Sequence, residues 1–367
     1  MSIDDFKRRF LFLNEFKILF ILLALLLCIG LLGQYSAFNG EINTFVQRHL
    51  FRIVSSVVCM FLVYSVNFRF WSSYAYVFYG IIFVGLVIVE ILGTVKLGAQ
   101  RWINLYFFTF QPSELMKIAL VLALARYYAL LTPLEISDLK KHIAPFLLTI
   151  IPAYLILKQP DLGTASLLFF VGIGIIFMSG FPLKAFFGFI VAGIALCPLG
   201  WFFLHNYQRQ RILTFFNPDR DPSGSGYHVL QSKIAIGSGH IFGRGFLEGT
   251  QSKLNFLPEK NTDFIFTTIA EETGFVGSVI IISLFLFVTL YFIWAASTVR
   301  NTFAKLMCYG LSVLLFMHVF INIAMVMGLV PVVGIPLPFL SYGGSSMLTF
   351  SFSCGLVMSA LAYKKSY

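Results

Sequence analysis

Charge is what this chain has least of. Of its 367 residues only 11% are Asp, Glu, Lys or Arg, against about 25% in an ordinary soluble domain. Hydrophobic residues make up 58% and aromatic ones 17%, with 43 phenylalanines, more than one soluble core can bury. A water-soluble globular fold is thereby excluded, and an integral membrane protein is left. Acidic residues are the scarcer sign, 16 against 26 basic ones. The basic excess does not mark a nucleic-acid binder, because Lys7, Arg8, Arg9 and Lys17 precede the first apolar run and Lys364 and Lys365 follow the last. Such flanks orient membrane proteins. Cys28, Cys59, Cys197, Cys308 and Cys354 stand singly in apolar segments. With no CxxC and no Cys–His spacing, a zinc site or a redox motif has no support, and the thiols read as small packing residues. No internal repeat is visible, which weakens an inverted-repeat transporter. No small-residue cleavage site clearly follows the first apolar run, so that run reads as an uncleaved helix.

What is present is a succession of apolar runs, each near the length of about 20 residues that a crossing requires. They cover 18–36, 49–67, 72–95, 112–130, 143–158, 163–181, 185–204, 264–297, 304–329 and 343–362. The expectation is an all-α, polytopic membrane protein of about ten transmembrane helices, one domain over 1–367, with one large extracytoplasmic loop at about 205–262. Lys158-Gln159-Pro160-Asp161 reads as a tight outer hairpin between two spans. With the N-terminus inside, the cytoplasmic segments carry Lys7, Arg8, Arg9, Lys17, Arg69, Arg126, Lys140, Lys141, Lys184, Arg300, Lys305, Lys364 and Lys365. The short outer loops carry only Arg48, Arg52, Lys96, Arg101 and Lys158, so both termini are expected in the cytoplasm. Within the loop, Tyr227 to Ile236 has helical apolar spacing and is expected to lie on the membrane as a short helix.

Ionisable groups inside spans are functional candidates by default. Here they are Glu90, Glu114, Lys117, Glu271 and Glu272, with Lys158, Asp161 and Asp263 at span ends. The proposed topology puts all of them in the outer half of the membrane, which describes a pocket opening outward rather than a path through. Asp263 is the most telling, a carboxylate where a long polar loop meets the apolar run Phe264-Ile265-Phe266. Glu114 and Lys117, three apart, can pair on one helix. They read equally as a structural brace or as a source of positive charge for a phosphate-bearing substrate. Trp102 reads as an interfacial anchor and Ser113 as the cap of the fourth helix after Pro112, while Arg101 near Glu114 is unexplained. Gly343-Gly344-Ser345-Ser346 either offers helix-start N–H groups to an anion or packs small residues between helices.

Four segments together resemble the signatures of the SEDS family (shape, elongation, division and sporulation proteins). They are Gly98–Ile103 with Gln111-Pro112-Ser113-Glu114-Leu115-Met116-Lys117, Gln159–Ala165, Leu257–Phe266, and Pro336–Ser346. Gly249–Leu254 and Pro331–Pro336 look like the elongation member rather than the division member. Asn261 departs from the family, which often has His there, and Tyr106 stands where many members have glycine. The resemblance implies a peptidoglycan glycosyltransferase of the bacterial cytoplasmic membrane. It would polymerise lipid II on the outer face with inversion, in company with a class B penicillin-binding protein. It places the essential acid on Asp263, the expected general base. Substrate-binding residues are expected at Glu114, Lys117, Arg101, Trp102, Gln111, Arg48, Lys260 and Ser345. No organic cofactor is implied, and a divalent cation, Mg2+ or Mn2+, is left open. A lipid II flippase and a non-catalytic scaffold for the penicillin-binding protein are the rival readings.

Overall fold

The structure, a computed structural model, describes residues 3–96, 99–104, 109–204, 206–221, 224–250 and 261–364. Its longer helices are α1 (Ile3–Ala37), α2 (Thr44–Ser65), α3 (Ala75–Leu92), α4 (Pro112–Ala129), α5 (Ile143–Lys158) and α6 (Leu162–Met178). They continue with α7 (Leu183–Phe203), α8 (Asn206–Phe216), α9 (Ser225–Ser238), α10 (Ile265–Thr298), α11 (Thr302–Val326) and α12 (Gly344–Lys364). Six are long and apolar enough to cross a membrane, namely 16–37 in α1, α2, 139–158 ending in α5, α10, α11 and 344–363 in α12. Shorter apolar stretches lie in α3, α6 and α7.

These helices are apolar on their outer faces as well as inside. α1 buries Leu19, Leu23 and Leu26 but exposes Ile18, Ile21, Leu25 and Leu32. α10 buries Ile281, Phe285, Val288 and Phe292 but exposes Val279, Ile282, Leu286 and Leu290. Contiguous exposed apolar faces of this extent are a liability in water and a requirement in lipid. The chain is a multi-pass membrane protein.

One feature differs from the all-α expectation. The stretch after α3 forms a small antiparallel sheet of β1 (Thr94–Lys96), β2 (Ala99–Asn104) and β3 (Thr109–Phe110), in the order β1-β2-β3. Thr94 pairs with Trp102 and Ile103 with Phe110. β-Branched and aromatic residues favour strands, and a non-helical backbone must find partners for its N–H and C=O groups. Among its described residues, the expected loop at 205–262 contains the helices α8 and α9. The latter covers the anticipated Tyr227–Ile236 segment. The expected hairpin does separate α5 from α6 at 159–161, and the Gln159 side chain ties it to α3 by donating to the Leu86 carbonyl at 2.9 Å.

The chain divides into two compact units, residues 1–70, 231–301 and 336–367 in one, and 71–230 with 302–335 in the other. In the first, α2 and α12 run parallel. Arg52 lies against Gly344 near their N-terminal ends, while Ser359 donates to the Val66 carbonyl and Tyr363 packs on Phe68 at the opposite ends. In the second unit, α4 is the central helix and packs against α3, α6 and α11. Every residue from Met116 to Ala125 on it is buried, as expected of a helix apolar on all sides.

α10 is broken at Gly274, whose φ of 67° and ψ of −159° are open in practice only to glycine. The backbone groups freed there bond to the segment 239–245. The Glu271 and Glu272 carbonyls accept from the Arg244 and Gly245 N–H groups at 3.1 Å each, and the Phe275 and Val276 N–H groups donate to the His240 and Ile241 carbonyls at 3.0 and 3.1 Å. Non-helical backbone inside a membrane protein persists only where it is satisfied in this way. At about 1.5 Å per residue, residues 275–298 alone suffice for a hydrocarbon core of about 30 Å, so residues 265–273 are a separate helical segment, buried from Ile265 to Glu272. Gly243, at φ 84°, approaches so closely that an added Cβ would stand 1.9 Å from the Glu272 carbonyl oxygen. Gly243→Ala is therefore expected to destabilise the fold by at least about 1–3 kcal/mol, and an unchanged thermal unfolding midpoint in detergent would rule out the inserted segment.

Candidate active site

Asp263 occupies a turn immediately before α10, half-buried, with Phe264 as the N-cap residue. The turn is anchored two residues earlier. The Asn261 carbonyl accepts from the Gln34 side chain at 2.8 Å and from the Tyr342 N–H at 2.9 Å. Gln34 also donates to the Leu340 carbonyl at 3.1 Å, so α1, the approach to α10 and the approach to α12 are tied at one point. Asn261, the residue that departs from the family pattern, is used here through its backbone. Beyond Asp263 the carboxylates of Glu271 and Glu272 are buried and hydrogen-bonded. Glu272 accepts from the Ser36 hydroxyl, and Glu271 from Thr250 Oγ1 at 3.2 Å. Those bonds fit bracing.

Arg48 and Ser345 belong to the same unit as Asp263. Arg48 is exposed on α2 and Ser345 is half-buried in the first turn of α12. Lys260 lies outside the described residues, as do Gly98 and Tyr106.

The other candidates lie in the second unit. Glu114 Oε1 and Lys117 Nζ pair at 2.8 Å on α4. Lys117 is 0% exposed and Glu114 5%, and Glu114 Oε2 is buried without a hydrogen-bond partner. Gln111, buried, is the N-cap residue of α4 but makes no side-chain cap bond, and Pro112 fills the first helical position. Ser113 is thus not the cap that the sequence suggested, because Pro112 sets the helix start one residue earlier. Trp102 sits half-buried in β2.

Arg101 is not placed on Glu114. Its Nε lies 3.7 Å from Asp161 Oδ2 and donates to the Gln159 carbonyl at 3.3 Å, and its Nη2 donates to the Pro160 carbonyl. The fork of guanidinium donors grips the 159–161 hairpin through carbonyls and carboxylate together, which a lysine cannot do. Asp161 also caps α6, accepting from the Thr164 N–H at 3.1 Å and from its hydroxyl at 2.9 Å. Tyr207 of α8 lies near this pair. Burial pushes its phenol above the ordinary tyrosine range, while Arg101 and Arg211 pull it back. Asp161 as the partner of Arg101, and Tyr207 beside them, were not foreseen, since no local spacing links β2, the hairpin and α8. Asp161→Asn is expected to keep the cap and lose the charge pairing, whereas Asp161→Ala loses both. The difference in unfolding free energy between the two should be about 1 kcal/mol, and equal midpoints would deny the cap.

Residues 12–366 match the FtsW/RodA/SpoVE family of cell cycle proteins. The chain belongs to that family. Among its relatives, it is 41% identical over 348 residues to the peptidoglycan glycosyltransferase MrdB of Escherichia coli K12, covering 95% of this chain and 93% of that one. It is 33% identical to the peptidoglycan glycosyltransferase RodA of Treponema pallidum, with 94% and 97% covered. Among solved structures it resembles a chain from a study of polymerization and crosslinking by a peptidoglycan synthase complex, with TM-score 0.83, 28% identity and 96% and 98% covered. It also resembles the rod shape determining protein RodA of Thermus thermophilus, with TM-score 0.71, 26% identity and 95% and 97% covered. The family is the one that the four signature segments resemble.

Proposed function

We propose that this protein is a peptidoglycan glycosyltransferase that polymerises lipid II at the outer face of the bacterial cytoplasmic membrane, through about ten crossings with both termini inside. The observation that carries the reading is Asp263, a carboxylate held at the head of a buried helical segment by a loop tied from both sides. The names of the relatives support the reaction class. Asp263 takes the proton from the 4-hydroxyl of the acceptor GlcNAc, and that oxygen forms a bond to C1 of the donor MurNAc. The bond from C1 to the phosphate oxygen breaks, the configuration inverts, and undecaprenyl pyrophosphate leaves with the electron pair. Pyrophosphate needs no proton from a second carboxylate to depart. It does need positive charge, for which Lys117, Arg101 and Arg48 are the candidates, with Trp102, Gln111, Glu114, Lys260 and Ser345 completing the substrate set.

Among the described residues no three His, Cys, Asp or Glu side chains group as metal ligands. A divalent cation, Mg2+ or Mn2+, would supply further positive charge to the leaving diphosphate. The partner is a class B penicillin-binding protein that crosslinks the strands, a reading supported by the likeness to a chain of a peptidoglycan synthase complex. The test is incubation of purified lipid II with the full chain and its penicillin-binding partner. Glycan strands are expected, and their absence, with the partner bound and Mg2+ supplied, would favour a lipid II flippase instead.

A further inference from the structure

The reaction proposed above brings together two lipid-linked diphosphates, the growing strand and the incoming unit, and so calls for more than one anion site. In the unit that contains Asp263, α2 carries Arg48, His49 and Arg52 within little more than one turn. Arg48 and Arg52 are four residues apart, where like charges repel. Among the described residues no carboxylate pairs with any of the three. Arg52 places its guanidinium 3.7 Å from the centroid of the Tyr342 ring, and its Nε lies against Gly344 at the start of α12. Its Nη1 is buried with no hydrogen-bond partner. His49, 0% exposed, stacks on the same tyrosine, and neither of its ring nitrogens has a partner. Ser346, 2% exposed in the first turn of α12, has an unpartnered hydroxyl.

Each of these atoms is, or can be, a donor, and buried donors without acceptors are costly. They surround the N-terminus of a 21-residue helix, whose first N–H groups have no partner within the helix and whose dipole favours an anion. Tyr342, the ring against which both Arg52 and His49 lie, is the residue whose N–H holds Asn261 beside Asp263. We infer that Arg52, His49 and Ser346, with the first turn of α12, form a pocket for the diphosphate of a lipid-linked sugar. The inference rests on the proposed function for the identity of that anion. The cation, an imidazole N–H and the hydroxyl each donate to phosphate oxygens, and the Tyr342 ring holds the guanidinium in place.

The test measures binding to the full chain in lipid nanodiscs, using a short-chain polyprenyl diphosphate in one arm, inorganic pyrophosphate in a second and phosphatidylglycerol vesicles in a third. Arg52→Gln is expected to weaken both diphosphate probes by about tenfold or more, as loss of charge-assisted hydrogen bonds does. Arg52→Lys should recover part of the loss, and Ser346→Ala should weaken binding to a lesser degree. Arg69→Gln, removing the guanidinium that sits over Tyr363 at 5.8 Å at the far end of the same helix pair, should change nothing. If Arg52→Gln lowers the unfolding midpoint, Arg52→Lys and Ser346→Ala decide the question. Unchanged diphosphate affinity in the folded variants overturns the pocket, and so does an effect confined to phosphatidylglycerol, which would mark an ordinary lipid headgroup. Lipid II polymerisation run alongside separates the two claims. A polymerising wild type with diphosphate binding indifferent to Arg52 refutes the pocket alone, whereas a wild type that makes no strands but binds diphosphate through Arg52 refutes the function alone.

Discussion

Asp263→Asn is expected to lower the rate of lipid II polymerisation by about 10²–10⁴-fold, the usual contribution of a general base. The substitution keeps the size and shape of the side chain while removing its charge and its capacity to take up a proton, so the turn before α10 should persist. That turn is tied through the backbone of Asn261, whose carbonyl accepts from Gln34 and from the Tyr342 N–H. The unfolding midpoint and the binding of a polyprenyl diphosphate should therefore stay at wild-type values while strand formation slows by that factor. Asp263→Glu, with the carboxylate moved by one methylene, should recover a small part of the rate. Full polymerisation by the asparagine variant would remove Asp263 from the chemistry. Glu271 and Glu272 are poor substitutes for it, because both are buried and already accept hydrogen bonds from Thr250 and Ser36.

Lys117 offers the second large effect. Its ammonium is fully buried on the central helix of its unit, 2.8 Å from Glu114. Removing one member of a buried pair strands the other, at a cost of about 3–5 kcal/mol. Lys117→Met and Glu114→Gln should each lower the unfolding midpoint substantially. The double variant Glu114→Gln/Lys117→Met leaves no stranded charge and should regain most or all of the stability, since replacing both partners of a buried pair is often neutral or better. Activity separates a brace from a substrate contact. If the ammonium meets developing charge on the leaving diphosphate, the double variant folds but polymerises about 10²–10³-fold more slowly, the loss typical for one charge-stabilising donor. A double variant that is both stable and fully active would make the pair a brace only.

Glu114–Lys117 and Arg101–Asp161 differ in how far each contact is set by the local sequence. The first pair was legible because both residues lie on one helix, where 3.6 residues per turn bring positions three apart together whatever the rest of the chain does. The partner of Arg101 was not, because Asp161 lies 60 positions further on, and its selection depends on how the hairpin between α5 and α6 sits against β2. The same division applies to the fold. The membrane class, the apolar stretches, the break at 159–161 and the helix within 227–236 follow from hydropathy and local turn residues. The small sheet after α3 was missed because its strands are too short to show alternation.

By itself the sequence determined that this chain lives in lipid, where its helices run, that Asp263 stands at the head of one of them, and that Glu114 can reach Lys117. Those are properties of composition and of one-dimensional period. Only the tertiary structure decided that α10 is broken at Gly274 and completed by residues 239–245, that Arg101 grips Asp161, and that Arg52 and His49 flank Tyr342 at the start of α12. Each of these joins segments distant in the chain, and the choice among partners is made by close packing and by the need of every buried polar group for a hydrogen bond.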